Sequence, residues 1–119
     1  MGISQQYVPH IVSFLIEKAP TASTVTYGQV AEHVGRIFNR SSSARAMGKP
    51  LYRIKDICQE HGWPELTALV VQSANGLPGD GLFEGLGDLD ASGRKAAFLT
   101  MLERVRAHDW SDAKARYGA

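Results

Sequence analysis

The side chains able to do chemistry fall into four groups. Cys58 and His61 lie three residues apart in "IKDICQEHG", one turn if that segment is helical. That is the spacing a thiol needs to share its proton with an imidazole. A lone cysteine on an apolar stripe serves equally well as an inert core side chain. Arg36, Arg40, Arg45, Lys49, Arg53 and Lys55 form a second group, six cations with no acidic residue among them. Unopposed cations at this density favour an anionic partner such as phosphate, although each one read singly is a solvated surface charge. Asp80, Glu84, Asp88 and Asp90 reverse the balance in a third group. They lack the alternating ligands of an EF-hand, and the glycines flanking Asp80 are explained by turn chemistry. The fourth is Tyr27, at the head of "TVTYGQVAEHVG". Its ring can pack on a neighbouring helix or meet a ligand.

His10, His33, His61 and His108 are scattered without ligand spacing, and one cysteine cannot supply a multi-thiolate site. No metal and no other cofactor is expected. The net charge of +1 and an apolar fraction of 44% are those of an ordinary globular chain. No apolar run approaches the roughly 20 residues of a membrane span. "MGISQQYVPHIVSFLIEKAP" has no basic region ahead of its apolar part, so no signal peptide and no membrane partner are expected, and the default location is cytoplasmic.

The elements that must position these groups can be read from periodicity. Val8, Ile11, Val12, Leu15 and Ile16 make the stripe of an amphipathic helix over residues 5–18, closed by Pro20. Thr26 and Gln29 have the spacing of a capping box. They open a short helix with Val30, Ala31 and Val34 inward and Gly35 as its stop. "RIFNRSSS" is a basic loop whose serines offer the next N-cap. From Ala44 the apolar phase runs through Met47, Leu51, Ile54, Ile57 and Cys58 to Gly62. Gly48 and Pro50 imply a kink near Lys49, or two helices in close succession. "ELTALVVQ" (65–72) reads as a strand. The turn signals Asn75-Gly76 and Pro78-Gly79 then suggest a hairpin with a second strand near Gly81 to Glu84. An acidic connector leads to a helix over 91–107, and "HDWSDAKARYGA" is amphipathic enough to fold back.

The expected fold is therefore mainly α with a small β-hairpin, an α+β domain of winged helix-turn-helix type over about 5–85, extended by C-terminal helices over about 90–117. Residues 1–119 make one domain.

"V..IV.FL", "TVTYGQVAEHVG", "SSARAMGKPL", "LTALVVQ" and "NGLPGDGLF" follow one another over Tyr7 to about Phe83. In order and spacing this stretch resembles the C-terminal DNA-binding domain of the alkylguanine-DNA alkyltransferases and the non-catalytic alkyltransferase-like proteins. The resemblance implies a minor-groove reading helix beginning near Ser42. Arg45 of "ARAMG" would fill the place of a flipped-out base, and Tyr27 of "TYGQVA" would press on that nucleotide's phosphate. Small neighbours, Ala44, Ala46 and Gly48, would let the backbone approach the groove. Arg36, Arg40, Ser43, Lys49 and Arg53 complete the expected DNA contacts. The family's Pro-Cys-His-Arg block is replaced here by "LTALVV", which offers Thr67 and Ala68 but no thiol, imidazole or guanidinium. The implied function is non-catalytic binding of double-stranded DNA, at the minor groove or at a damaged or flipped base, in DNA repair. A protein-interaction module working through the C-terminal helix is the alternative, and a nucleic-acid-processing enzyme using Asp80 or Glu84 is a third.

Overall fold

A computed structural model of the chain describes residues 4–39, 41, 43–83 and 86–117. Among the described residues, five helices surround a two-stranded sheet: α1 (Ser4–Lys18), β1 (Val25–Thr26), α2 (Tyr27–Phe38), α3 (Gly48–His61), β2 (Val70–Val71), α4 (Ala91–Ala107) and α5 (Ser111–Tyr117). The molecule is mainly helical, of the α+β kind.

Helix α1 is central, packing against α2, α3 and α5. Its predicted stripe of Val8, Ile11, Val12, Leu15 and Ile16 is buried, as is Tyr7. Pro9 interrupts the helical ladder on the exposed side, where water can satisfy the carbonyl it leaves free. Helix α2 opens with the predicted capping box: Gln29 N donates to Thr26 Oγ1 at 3.1 Å, and Thr26 N donates to Gln29 Oε1 at 2.8 Å. Val30, Ala31 and Val34 face the core.

Gly35 is not the stop of α2. The helix runs on to Phe38, whose ring meets Tyr7 at 5.1 Å and His10 at 5.2 Å. Asn39 takes the left-handed cap conformation in place of a glycine, at φ 52°. Packing of one aromatic ring thus carries the helix past its sequence signal. Of the two arrangements expected around Lys49, a kinked helix or two in close succession, the second forms: a 3-10 helix, Ala44–Met47, runs directly into α3. Pro50 falls in the first turn of α3, where a missing amide proton breaks no bond.

Among the described residues, the hairpin expected after residue 65 does not form. Residues Leu66–Leu69 make a 3-10 turn, only Val70 and Val71 are extended, and Asp80–Phe83 is again a 3-10 turn. Strand β2 pairs in parallel with β1, Val25 opposite Val70 and Thr26 opposite Val71. The loop between is still closed by the predicted turn residues. Gln72 N donates to Leu77 O at 2.8 Å, Leu77 N donates to Asn75 Oδ1 at 2.9 Å, and Gly76 sits at φ 68°.

The C-terminal helices belong to the same core. Val105, Trp110 and Ala113 are buried with Ile11, Met47 and Ile54. Trp110 Nε1 donates to Val105 O at 2.7 Å, which folds α5 back along α1. A satellite cluster joins Phe98 of α4 to Val71 and Phe83, with Arg94 stacked over the Phe83 ring. Helix α4 therefore clamps the loop after β2. Asp90, from the acidic connector, caps α4 by accepting from Gly93 N at 2.7 Å.

Candidate nucleic-acid interface

Tyr27 is the first residue of α2 and follows β1 directly. Its hydroxyl accepts a hydrogen bond from Gly79 N at 3.3 Å, joining residues far apart in sequence. The fit is close: a Cβ placed on Gly79 would stand 2.9 Å from that hydroxyl. The loop after β2 is thus held against the head of α2 by a contact that a side chain at position 79 would crowd.

Two concave regions meet at this contact. One is an open groove of about 630 Å³, with Tyr27 and Gly28 on one wall, Ala44, Arg45 and Gly48 on another, and Gln72 with Gly79 on the third. The other is a smaller recess of about 220 Å³, lined by Leu51, Tyr52, Lys55, Thr67 and Leu82. Tyr27, Gly48 and Gly79 border both.

Arg45 lies in the 3-10 turn and is exposed. Ser43 organises that turn: its hydroxyl accepts from Ala46 N at 3.2 Å, so it acts on the backbone that carries Arg45. Lys49 and Arg53 share the outer face of α3, opposite buried Leu51, Ile54 and Cys58. Asp56 and Glu60 continue that face, so its sign reverses along the helix. Arg53 pairs with Glu60 at 3.3 Å. Arg36 lies in the last turn of α2, paired with Glu32 at 2.5 Å, and lines a separate shallow hollow with Gly28 and Ser41. Both pairs are exposed, worth about 0–1 kcal/mol, and open readily for a phosphate. Among the described residues Arg45 and Lys49 have no ion-pair partner. Arg40, Ser42 and Glu84 lie outside the described residues.

The structure therefore brings Tyr27 and Arg45 to one groove and leaves Arg36 on another hollow. It adds Gln72, Gly79 and Tyr52, which the sequence does not mark as contacts, and places Lys55 of the cation group and Thr67 of the "LTALVV" block in the recess. Pro78-Gly79 is legible as a turn, but nothing local signals that the turn closes on Tyr27.

The thiol is no nucleophile. Cys58 is buried and its pKa is pushed up to about 11 by burial. His61 stacks on Trp63 at 4.3 Å instead of serving it. Thr67 lines the recess, but among the described residues no histidine or carboxylate lines it with Thr67. Among the described residues no cluster of three His, Cys, Asp or Glu side chains could hold a metal ion, and no helix is long and apolar enough to cross a membrane. No protein-family model, curated protein or solved structure matches the chain.

Proposed function

We propose that this chain binds double-stranded DNA without catalysing a reaction on it. The observation that carries the reading is the convergence of Tyr27 and Arg45, from two separate motifs, on one groove beside a recess. A phosphodiester backbone runs along the groove, which Tyr27 and Arg45 line, while Lys49 stands on the exposed face of α3 next to Gly48. Gly28, Ala44 and Gly48 leave room for close approach. The arrangement is winged-helix-like, with the Gln72–Phe83 region as a loop-shaped wing and the segment from Ala44 through α3 as the reading element. This follows the resemblance to the alkyltransferase C-terminal domain.

Arg45 inserts between bases on the minor-groove side, and the recess accepts the displaced base. Extrusion costs a few kcal/mol, least at a mismatched or damaged position. A long cation that fills the vacated stack while staying close to phosphates lowers that cost. With "LTALVV" where the family carries its thiol, the recess can hold a base but offers no thiol to accept an alkyl chain from it.

The test is salt-controlled fluorescence anisotropy with a labelled duplex. Arg36, Arg45, Lys49 and Arg53, if all engaged, give a slope of log K against log salt of roughly −3 to −4. Lys49→Ala reduces that slope by about 0.9 and weakens all duplexes alike. Arg45→Ala weakens binding by more than Lys49→Ala does, most of all on a duplex with a single mismatch. Equal effects of the two substitutions refute base insertion. A wild-type chain that fails to bind duplex at low salt refutes DNA binding altogether.

A further inference from the structure

A further cavity, of about 480 Å³, opens between α1 and the corner joining α4 to α5. It shares no lining residue with the groove or the recess. Its volume lies within the range of small-molecule sites, roughly 300–1,000 Å³. Ile16 and Trp110, both buried, form an apolar floor, and half-buried Tyr117 forms a side. The indole N–H of Trp110 is already committed to Val105 O, so the floor offers ring surface and no donor.

The charges at the rim sort into two kinds. Arg106 is bonded to Glu103, and the Asp109 carboxylate accepts from both the backbone N–H and the hydroxyl of Ser111, which holds it below the usual carboxylate range. Those groups are neutralised or hydrogen-bonded within the protein. Glu17 on α1 and Lys114 on α5 also line the cavity, and among the described residues neither has an ion-pair partner. Among the described residues, one cavity thus carries a carboxylate from α1 and an ammonium from α5, neither in an ion pair, beside an apolar aromatic floor. We infer that it binds a free amino acid with a large apolar side chain, its ammonium towards Glu17, its carboxylate towards Lys114 and its side chain on Ile16 and Trp110. Two charge-assisted contacts set the orientation, and burial of the side chain supplies most of the affinity.

The full chain titrated with L-phenylalanine and followed by ¹H–¹⁵N correlation spectra tests this. The expected result is saturable movement of the Trp110 indole and Lys114 amide signals. Phenylalaninamide lacks the carboxylate and N-acetylphenylalanine lacks the ammonium, so each binds about tenfold more weakly, a ratio typical of one lost charge-assisted contact. Lys114→Gln weakens phenylalanine but leaves the amide unaffected. Glu17→Gln weakens phenylalanine but leaves the N-acetyl form unaffected. No saturable movement overturns the inference. Equal binding of all three compounds also overturns it, because the cavity then reads only an apolar group, such as a side chain of a protein partner. None of these outcomes bears on DNA binding, which is measured at a different face.

Discussion

The contact between Tyr27 and Gly79 permits a sharp test of how the groove is built. Gly79→Ala places a methyl group 2.9 Å from the Tyr27 hydroxyl, closer than carbon and oxygen tolerate, so the ring or the loop must move. The 3.3 Å hydrogen bond from Gly79 N is lost in the process, at a cost of about 0.5–1.5 kcal/mol. Crowding adds about 1–3 kcal/mol. Against this, alanine restricts the unfolded chain and recovers about 0.4–1 kcal/mol, since Gly79 does not need a left-handed backbone. The net expectation is a loss of about 2 kcal/mol.

In a Tyr27→Phe background the same substitution meets something different. The nearest remaining atom is the ring Cζ at 3.9 Å, an ordinary contact. Gly79→Ala should then be neutral or stabilising by up to about 1 kcal/mol. Tyr27→Phe alone costs about 0.5–1.5 kcal/mol, the worth of the hydrogen bond. The double-mutant cycle therefore carries a coupling energy of about 2 kcal/mol, well above the roughly 0.3–0.5 kcal/mol within which independent sites add. Urea denaturation of the four proteins measures it, and thermal melts should separate the two Gly79→Ala comparisons by roughly 8 °C. If Gly79→Ala costs the same in the Tyr27→Phe background as in the wild-type chain, the loop does not rest on the hydroxyl and the groove wall is built in some other way.

Two titrating groups give further tests. His33 stacks on Phe14 at 4.2 Å, and its pKa is lowered chiefly by burial. Glu17 opposes that shift, while Arg36, His10 and Lys18 add to it. A base with a depressed folded pKa contributes stability that is fully present above its ordinary 6.5 and fades as pH falls through the lower folded value. Melting temperature should therefore fall from about pH 7.5 to about pH 5, and His33→Gln should flatten that slope. An unchanged slope in the variant places the titration elsewhere. Glu65 behaves with the opposite sign: burial raises its pKa, Lys55 only partly offsets this, and among the described residues its Oε2 has no hydrogen-bond partner. Stability is then fully present below the ordinary 4.5 and is lost as pH rises through the folded value. Glu65→Gln should raise the melting temperature near neutral pH and leave it unchanged near about pH 4. A destabilised variant at neutral pH would mean that the carboxylate has a partner after all.

Much of this fold could be read from local signals. The α1 stripe, the Thr26–Gln29 box and the 91–107 helix are each specified by residues within a few positions of one another, and each forms as expected. The departures share a different cause. Helix α2 passes Gly35 because Phe38 finds Tyr7 and His10, on another helix. "ELTALVVQ" has strand composition, but an extended segment needs a partner. The partner supplied is a two-residue edge near the N-terminus, so only Val70 and Val71 stay extended. Cation spacing likewise gathers Arg36 with Arg45, whereas tertiary packing sends them to different hollows. Gly79 is legible only as a turn residue, Lys55 only as one of six cations and Thr67 only as part of the block that replaces the family's thiol motif, because what makes them lining is the return of the chain after β2, a long-range event.

That two-residue sheet has more influence on the groove than its size suggests. Val25 is buried and Thr26 half-buried, so a slip of one residue in β1 would turn an apolar side chain to the more exposed face, which favours the observed register. Tyr27 follows β1 immediately, and Gln72 follows β2 immediately. The pairing of Thr26 with Val71 therefore sets Tyr27 beside the root of the loop. Gln72 continues the tie on the loop side, donating through its side chain to Pro78 O at 3.2 Å and through its backbone to Leu77 O. Phe98 of α4, packed with Val71 and Phe83, presses the same loop from behind. Capping box, strand register and α4 thus act on one distance, that between Tyr27 and Gly79. The short stretch "TVTYGQVAEHVG" is the fixed jaw of the groove. The loop that closes on it is held by residues that no local pattern in that stretch could announce.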